Sequence, residues 1–556
     1  MAFTLLSFYP TFSHTLVGVF GKAMWIYALF FFGETFCLYA WYYSWDILKD
    51  GYLKIYHITL GVFLNLFGTA IMYAANSWAT FMMSPAGINE ETGEIESVWA
   101  AVANPLWNPV NIHRLLGNLA FGGIIVGAYA AVKFLGSKTQ EEKEHYDWMG
   151  YIGNFVAMIA LIPLPFAGYY LGREVYATSP IMGNQMMGGA FSWPFIVQVT
   201  MISVIFTGAN YYLWLSIQRI PGGERYHKYA KIIFALIFIG IMILLTPHNL
   251  PLTGEERAII GEAYHPFSKF FGVMTGKLAM LNLIILCTFF TFLMFRRANK
   301  GETVHFREQG TVGKGVVIGV GAAIVALVIL YAISSYGAED LEGVRQYFTP
   351  IFLDLMVFAA GIIGSIILTL LNKGKIAVWL NFGVTVFTVI LFLGSYGFIV
   401  MSKANLVMRY ITVSQVLMVL SCMFMNAAID IIQFRKCKII GPIAMGKIAP
   451  RAQYALIFVC IAIVTIMGVM GFIRSGLRMD WHIYGIMQDK SADSFTPSIF
   501  TLGLTTAGVV AIYLALVTFV FFLAGLGDKK KKAKVHAAEG PIHVSTATAT
   551  DGGNNI

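Results

Sequence analysis

The chain has 556 residues, of which 58% are hydrophobic, 15% aromatic and only 12% charged, with a formal net charge of +9. A soluble domain carries roughly 25% charged residues, and a disordered chain lacks this much apolar and aromatic content, so both classes are excluded. Five Cys without a CxxC pair and aperiodic Gly exclude disulfide-rich and collagen-like chains.

What remains is an all-α, polytopic transmembrane helical bundle. A spanning helix needs about 20 mostly apolar residues. Read in chain order, the apolar runs give about thirteen spans, at roughly 12–44, 54–83, 110–135, 149–172, 190–217, 229–247, 268–296, 312–335, 349–372, 376–400, 407–434, 452–474 and 498–526. The first ends on an interfacial cluster, Trp41, Tyr42, Tyr43 and Trp45. It is too long for a cleavable signal and lacks a basic start, so no leader is expected.

The loops assign sides. Arg219, Arg225, Lys228 and Lys231 follow the fifth span. Arg296, Arg297, Lys300, Arg307 and Lys314 follow the seventh, and Arg435, Lys436, Lys438, Lys447 and Arg451 the eleventh. A basic run from Lys529 to Lys534 follows the last, in a tail (528–556) whose composition reads as disordered. These loops fall on one side, which the positive-inside rule makes cytoplasmic, with the N-terminus outside and the C-terminus inside. The opposite loops, at Glu90 to Glu96, Glu255 with Glu256, and Asp340 with Glu342, are acidic. Basic loops of this kind suit an anionic lipid surface, and nucleic acid is not an expected partner.

Charges inside spans are costly and tend to be functional. They are Lys22, Glu34, Arg114, Lys277, Asp354 and Asp430. His14, His113, His248, His265 and His482 fall near the outer face, whereas His227 and His305 lie in basic loops and His57 and His145 at inner helix ends. His113 sits in NPVNIHRLLGNLAFGGIIVGAYA, where Gly117, Gly122, Gly123 and Gly127 leave a strip without side chains. Such a strip admits a flat macrocycle or another helix, and both readings stay open. Neutral imidazole binds heme iron, a thioether opposite it raises the potential, and Arg114 is placed to pair with a propionate. Met418, in ITVSQVLMVLSCMFM, is a candidate thioether, with Met356 as its rival. The chain has no HExxH, no phosphate-binding Gly loop and no CxxCH, so hydrolase, ATPase and covalent c-type heme readings lack support.

Several stretches resemble subunit I of the cytochrome bd quinol oxidases. GETFCLYAWYYSWD, with Glu34, is similar to that family's carboxylate-bearing helix. AANSWATFMMSPAG resembles its Ala-Asn-x-Trp segment, and GFIRSGLRMDWHIYG, with Trp481, its Gly-Arg-Gln-Pro-Trp loop. The helix of His113 resembles the one whose His ligates low-spin heme b, and SQVLMVL places the opposing Met at Met418. FSHTLVG puts His14 where the family has an N-terminal heme-ligating His.

The resemblance implies an integral protein of a bacterial inner membrane that binds one or more b-type hemes, a second or third included, with His14, His113 and Met418 as iron ligands. It implies a quinol or cytochrome c donor and a second membrane subunit, with c-type cytochrome subunits as further candidate partners. Electrons would pass through the His113 heme. Oxygen would be reduced at a second heme near His14, with protons drawn through Glu34 and the Trp481 loop in attendance. Residues 1–175 and 406–527 carry the similarity; 176–405 hold additional spans without a placed counterpart. Three departures stand out. Ile26 and Gly485 replace family carboxylates, and Asp480 replaces the signature Pro. They favour a member with weak or absent oxygen reduction, serving as the electron-transfer arm of a larger complex. A heme-free transporter is the third reading.

Overall fold

The computed structural model describes residues 9–89, 95–247, 255, 274–301, 310–395, 405–478 and 481–488, together with 508, 511–512, 515–516 and 518–519. Among these residues, twelve helices are long and apolar enough to cross a membrane. The thirteenth expected span, at 498–526, falls almost wholly outside the described residues, as do the tail, His248, His265, His305 and Asp480.

The helices are α1 (Pro10–Tyr43), α2 (Leu53–Phe81), the short α3 (Val98–Val102), α4 (Trp107–Gly136), α5 (Gln140–Leu161), α6 (Leu164–Thr178), the short α7 (Pro180–Met186), α8 (Ser192–Gln218) and α9 (His227–Leu244). They continue with α10 (Met274–Arg297), α11 (Gly310–Tyr336), α12 (Arg345–Leu370), α13 (Gly374–Ser395), α14 (Asn405–Gln433) and α15 (Pro450–Gly476). A short strand, β1 (Trp481–Ile483), follows.

The run expected at 149–172 is one candidate span, Gln140–Thr178, broken near Pro163 into two helices. α5 starts earlier because Thr139 and Glu142 form a reciprocal capping box, and it stops at Leu161, where Pro163 cannot continue the ladder and instead begins α6.

By its contacts the chain divides into Val17–Ile486 and a small unit of Met1–Leu16 with Met487–Ile556. In the small unit, the first turns of α1 bury Phe12 and Leu16 and expose His14. The larger unit holds two packing regions. α4, α5, α8, α9, α10 and α15 interlock through Ile124, Ala157, Phe206, Val459 and Ile284 on one side and Met158, Leu213 and Phe295 on the other. α11, α12, α13 and α14 form a second core around Val328, Phe348, Leu355, Phe358 and Met425. α10 joins the two, packing Ile285, Leu286 and Phe289 against Val419 and Cys422 of α14.

Three basic connections meet at one end, as their charge predicts. Arg225 donates to the main-chain oxygens of Arg297 and Lys300, the amide of Ile440 to Asn299, and that of Gly446 to the Asp147 carboxylate. The Tyr484 amide donates to Met82, and its hydroxyl bonds Ser179 at 3.0 Å, which gathers the ends of α2, α6 and α15 at the other end.

Candidate functional site

The α4–α5 seam is where glycine matters most. A Cβ at Gly123 would lie 2.6 Å from the carbonyl oxygen of Gly153, so the two backbones are in direct contact there. Gly127 also faces α5. Gly117 and Gly122 face open space, with nothing within 4 Å of their Cβ positions. Gly123 and Gly127 thus make a helix–helix contact, while Gly117, one turn from His113, borders open space.

His113 is half-buried one turn before Gly117. Its Cδ2–Nε2 edge faces α6, 3.5 Å from where Gly168 would carry a Cβ. No hydrogen bond to the ring is formed among the described residues. One turn along α6, Gly172 likewise leaves room, with the Met186 methyl 3.4 Å from its Cβ position.

The AANSWATFMMSPAG segment fixes the start of α4. Asn76, wholly buried at the end of α2, donates to Asn111 at 2.6 Å and accepts a hydrogen bond from the Arg114 guanidinium. Asn104 donates to the Ser77 carbonyl at 3.1 Å and accepts from the Ser84 hydroxyl at 3.1 Å, while Trp107 donates to Tyr73. Gly87, at φ +71°, turns the chain so that the amides of Glu96 and Ser97 reach its carbonyl; its Cβ would collide with the main chain at Ser97. Sequence similarity marked this segment without its task, which is to orient Arg114 and hold α4 on α2.

Two further arginines join Arg114. Arg474, near the end of α15, lies within Coulomb range of both Arg114 and Arg478 and donates to the Ala79 carbonyl. Among the described residues, neither Arg114 nor Arg474 forms an ion pair. Arg478 donates to the His482 carbonyl at 2.6 Å and so shapes the Trp481 loop, in which His482 is buried and Trp481 half-buried against Tyr484. Arg474 and Arg478 were missed from the sequence because they read as an ordinary basic helix end.

The remaining expected residues lie elsewhere. Glu34 is half-buried on α1, its Oε1 2.8 Å from the Cβ position of Gly68 on α2, so its carboxylate packs into the α1–α2 hairpin. Met418 is wholly buried in the α11–α14 core beside Ile411 and Met425, and Met356 packs against the same core. The helices that pack most extensively along α4 are α2, α5, α6 and α15. His14 belongs to the small unit.

The other charges within spans separate into distinct cases. Asp430 binds Arg296 at 2.6 Å and Arg297 at 3.2 Å, tying α10 to α14. Lys277 is buried without a hydrogen bond, its ammonium 4.0 Å from the Phe195 ring centre. Lys22 is exposed on α1, and one carboxyl oxygen of buried Asp354 has no hydrogen-bond partner among the described residues.

A glycine at open space, an imidazole edge without a hydrogen bond and two cations without an ion pair, all among the described residues, are the donor set that an anionic, flat, iron-bearing group such as a heme with its propionates would need. Residues 1–205 match the family model for cytochrome bd terminal oxidase subunit I. Over that stretch, which contains α1 to α7, His113 and the Arg114–Asn76 contact, the chain is cytochrome bd subunit I-like. That family consists of integral proteins of the bacterial inner membrane, and the twelve apolar helices fit that place. Oxidase-type electron transfer with bound heme, a quinol donor and a partner subunit are properties of that family. No curated protein matches the chain.

Proposed function

We propose that the chain is the heme-bearing subunit of a membrane electron-transfer complex of the cytochrome bd type, oxidising a quinol near the end of the bundle that carries His113. The observation that carries the reading is the His113 edge, turned toward Gly168 and without a hydrogen bond among the described residues, beside Arg114 and Arg474, which form no ion pair among them.

Heme supplies one-electron transfer when bound. His113 would ligate it through Nε2. Arg114, held by Asn76, and Arg474, held by the Ala79 carbonyl, supply positive charge for carboxylates that would otherwise be expensive at this depth. The Trp481 loop, pinned by Arg478 and by Tyr484 on Met82, closes that end of the bundle. Met418 is retained as the opposing ligand on family similarity alone. His14 and Glu34 are proposed on the same basis as ligand and proton carrier of a second heme site.

A second reading drops oxygen reduction. Glu34 is engaged with α2, Ile26 is exposed and apolar, and Gly485 adopts φ +77°, where a carboxylate-bearing residue would be strained. A proton-supplied oxygen site has little to be built from here, which favours slow oxygen turnover with normal reduction of the His113 heme.

A pyridine hemochrome assay with a reduced-minus-oxidised spectrum of the purified chain is the test. Wild-type protein should show low-spin heme b, and His113→Ala should lose it. Protein without heme would sink the proposal and leave the transporter reading; an unchanged spectrum in His113→Ala would reject the ligand.

A further inference from the structure

The basic end of the bundle encloses a second polar site. On α8, Tyr212, Ser216 and Arg219 recur at helical spacing along one face. That face lies on α5, where Arg219 pairs with Asp147 through Nη1 and the Tyr212 hydroxyl reaches to 3.7 Å from the Cβ position of Gly150. Leu456 of α15 touches Gly150 as well, and Gln453 sits one turn before it, wholly buried.

The groups gathered here are polar, inaccessible and largely unsatisfied. Among the described residues, Oδ1 of Asp147, Nε and Nη2 of Arg219 and both amide atoms of Gln453 make no hydrogen bond, and the Tyr212 and Ser216 hydroxyls have only each other within reach. Asp147, Ser216 and Gln453 are fully buried, at 0% exposure, as is Tyr212. A buried polar atom without a partner costs about 1–3 kcal/mol, so a cluster of this size implies bridging water.

The site also has a way to the surface. Gln140 and Glu144 precede Asp147 on the same face of α5 and lie against the turn at Gly446, whose amide donates to Asp147 at 2.7 Å. Glu144 is exposed and Asp147 is not, so one helix face carries carboxylates from water into the interior. The charged and titratable groups around Asp147 are Arg219 and Tyr212 from α8 and Tyr151 and Glu144 from its own helix; Gln453, from α15, is neutral.

We propose that this is a hydrated proton-uptake pocket, in which water fills the space between Asp147, Arg219, Tyr212, Ser216 and Gln453, and Asp147 exchanges protons with the surface along the Glu144 face. A hydronium ion at Glu144 gives its proton to Oδ1 of Asp147 and leaves as water. The proton then passes to the next water of the pocket, which restores the carboxylate beside Arg219. The inference rests on the electron-transfer reading for its use, since reducing a buried centre draws protons inward to balance charge.

Hydration is tested without any redox activity, by radiolytic hydroxyl-radical footprinting of the full chain in detergent. Tyr212 and Phe348 are equally buried, at 0–1% exposure. Tyr212, bathed by internal water, should be oxidised about tenfold faster than Phe348, in its dry core. Equal rates would overturn the pocket.

Proton uptake is then followed with a pH-sensitive dye as quinol reduces the protein in liposomes. Asp147→Asn should slow uptake about tenfold with an unaltered heme spectrum. Because that variant also disturbs a buried ion pair, Tyr212→Phe and Gln453→Leu, which spare the pair, should slow uptake in the same direction. Unchanged uptake in all of these would refute the proposal. A wild-type chain without a heme spectrum would remove the functional reading, and the footprinting result would still decide whether the pocket is wet.

Discussion

Helices α2 and α10 differ little as sequences and greatly as structures. Both are apolar enough to span, with mean hydropathy 1.7 and 2.4 over their best windows, yet none of the α2 window is buried by protein and 72% of the α10 window is. Hydropathy measures transfer out of water and does not distinguish lipid from protein as the destination. What separates the two is where polar side chains can be tolerated. Lys277, Asn282 and Thr288 of α10 are all buried. The polar side chains in the outer-facing part of α2, Thr59, Asn65 and Thr69, return to their own helix, each bonded to a carbonyl one turn earlier.

The comparison breaks most readily at a buried charge. Arg219→Met strands the Asp147 carboxylate, which is 0% exposed, and should cost about 3–5 kcal/mol. Chemical unfolding in detergent, monitored by helical ellipticity, should show the loss. Pairing Arg219→Met with Asp147→Leu should recover much of it, because the desolvated charge goes with its partner. If the single variant were silent, the interior of α5 and α8 would be no more demanding than the lipid-facing side of α2.

Backbone contact gives the next largest effect. Gly123→Leu drives a side chain into the Gly153 carbonyl and should cost about 2–3 kcal/mol by overpacking. Gly117→Ala, with nothing within 4 Å, should be neutral or slightly stabilising through helix propensity. Melting temperatures of the two purified variants make the comparison. A Gly117→Ala protein that melts normally but loses heme absorbance would place the macrocycle against Gly117.

Lys277 sharpens the contrast from the other direction. Among the described residues it is a buried cation with no hydrogen bond, its ammonium over the Phe195 ring. Lys277→Met keeps the volume and discards the charge, so stability should stay within about 1 kcal/mol of wild type. A larger loss in the same unfolding assay would mean that Lys277 holds an anionic group.

Much of this was legible in the sequence for a physical reason. Spans are written as long apolar runs, and the basic loops at Arg225, Lys300 and Lys438 meet because one membrane face collects positive charge. His113 stood out because a histidine followed by glycines at helical spacing leaves an open face. Partnering was not legible. Asp147 and Arg219 look like loop charges until the helices are set side by side, and Arg474 and Arg478 look like a basic cap. Depth along a helix is a sum over residues and can be counted, but rotation and neighbour choice depend on packing between segments far apart in the chain. That Met418 and Met356 share the α11–α14 core is visible only in the structure.

The smallest expected effect tests the exposed side of α2. Leu66 and Ile55 are 58% and 66% exposed, so truncation removes contact with lipid or detergent and almost none with protein. Leu66→Ala and Ile55→Ala should each change the stability of the isolated chain by no more than about 0.5 kcal/mol. Phe81, at the buried end of the same helix, is 0% exposed and meets Phe20 edge to face at 5.2 Å, so Phe81→Ala should cost about 3–5 kcal/mol. The informative measurement repeats the two exposed truncations in membranes that contain the whole assembly. If a partner subunit lies on α2, Leu66→Ala and Ile55→Ala will weaken co-purification of that subunit while leaving the isolated chain unaltered. If lipid covers the helix, they will be silent in both settings, and the partner must dock elsewhere on the bundle.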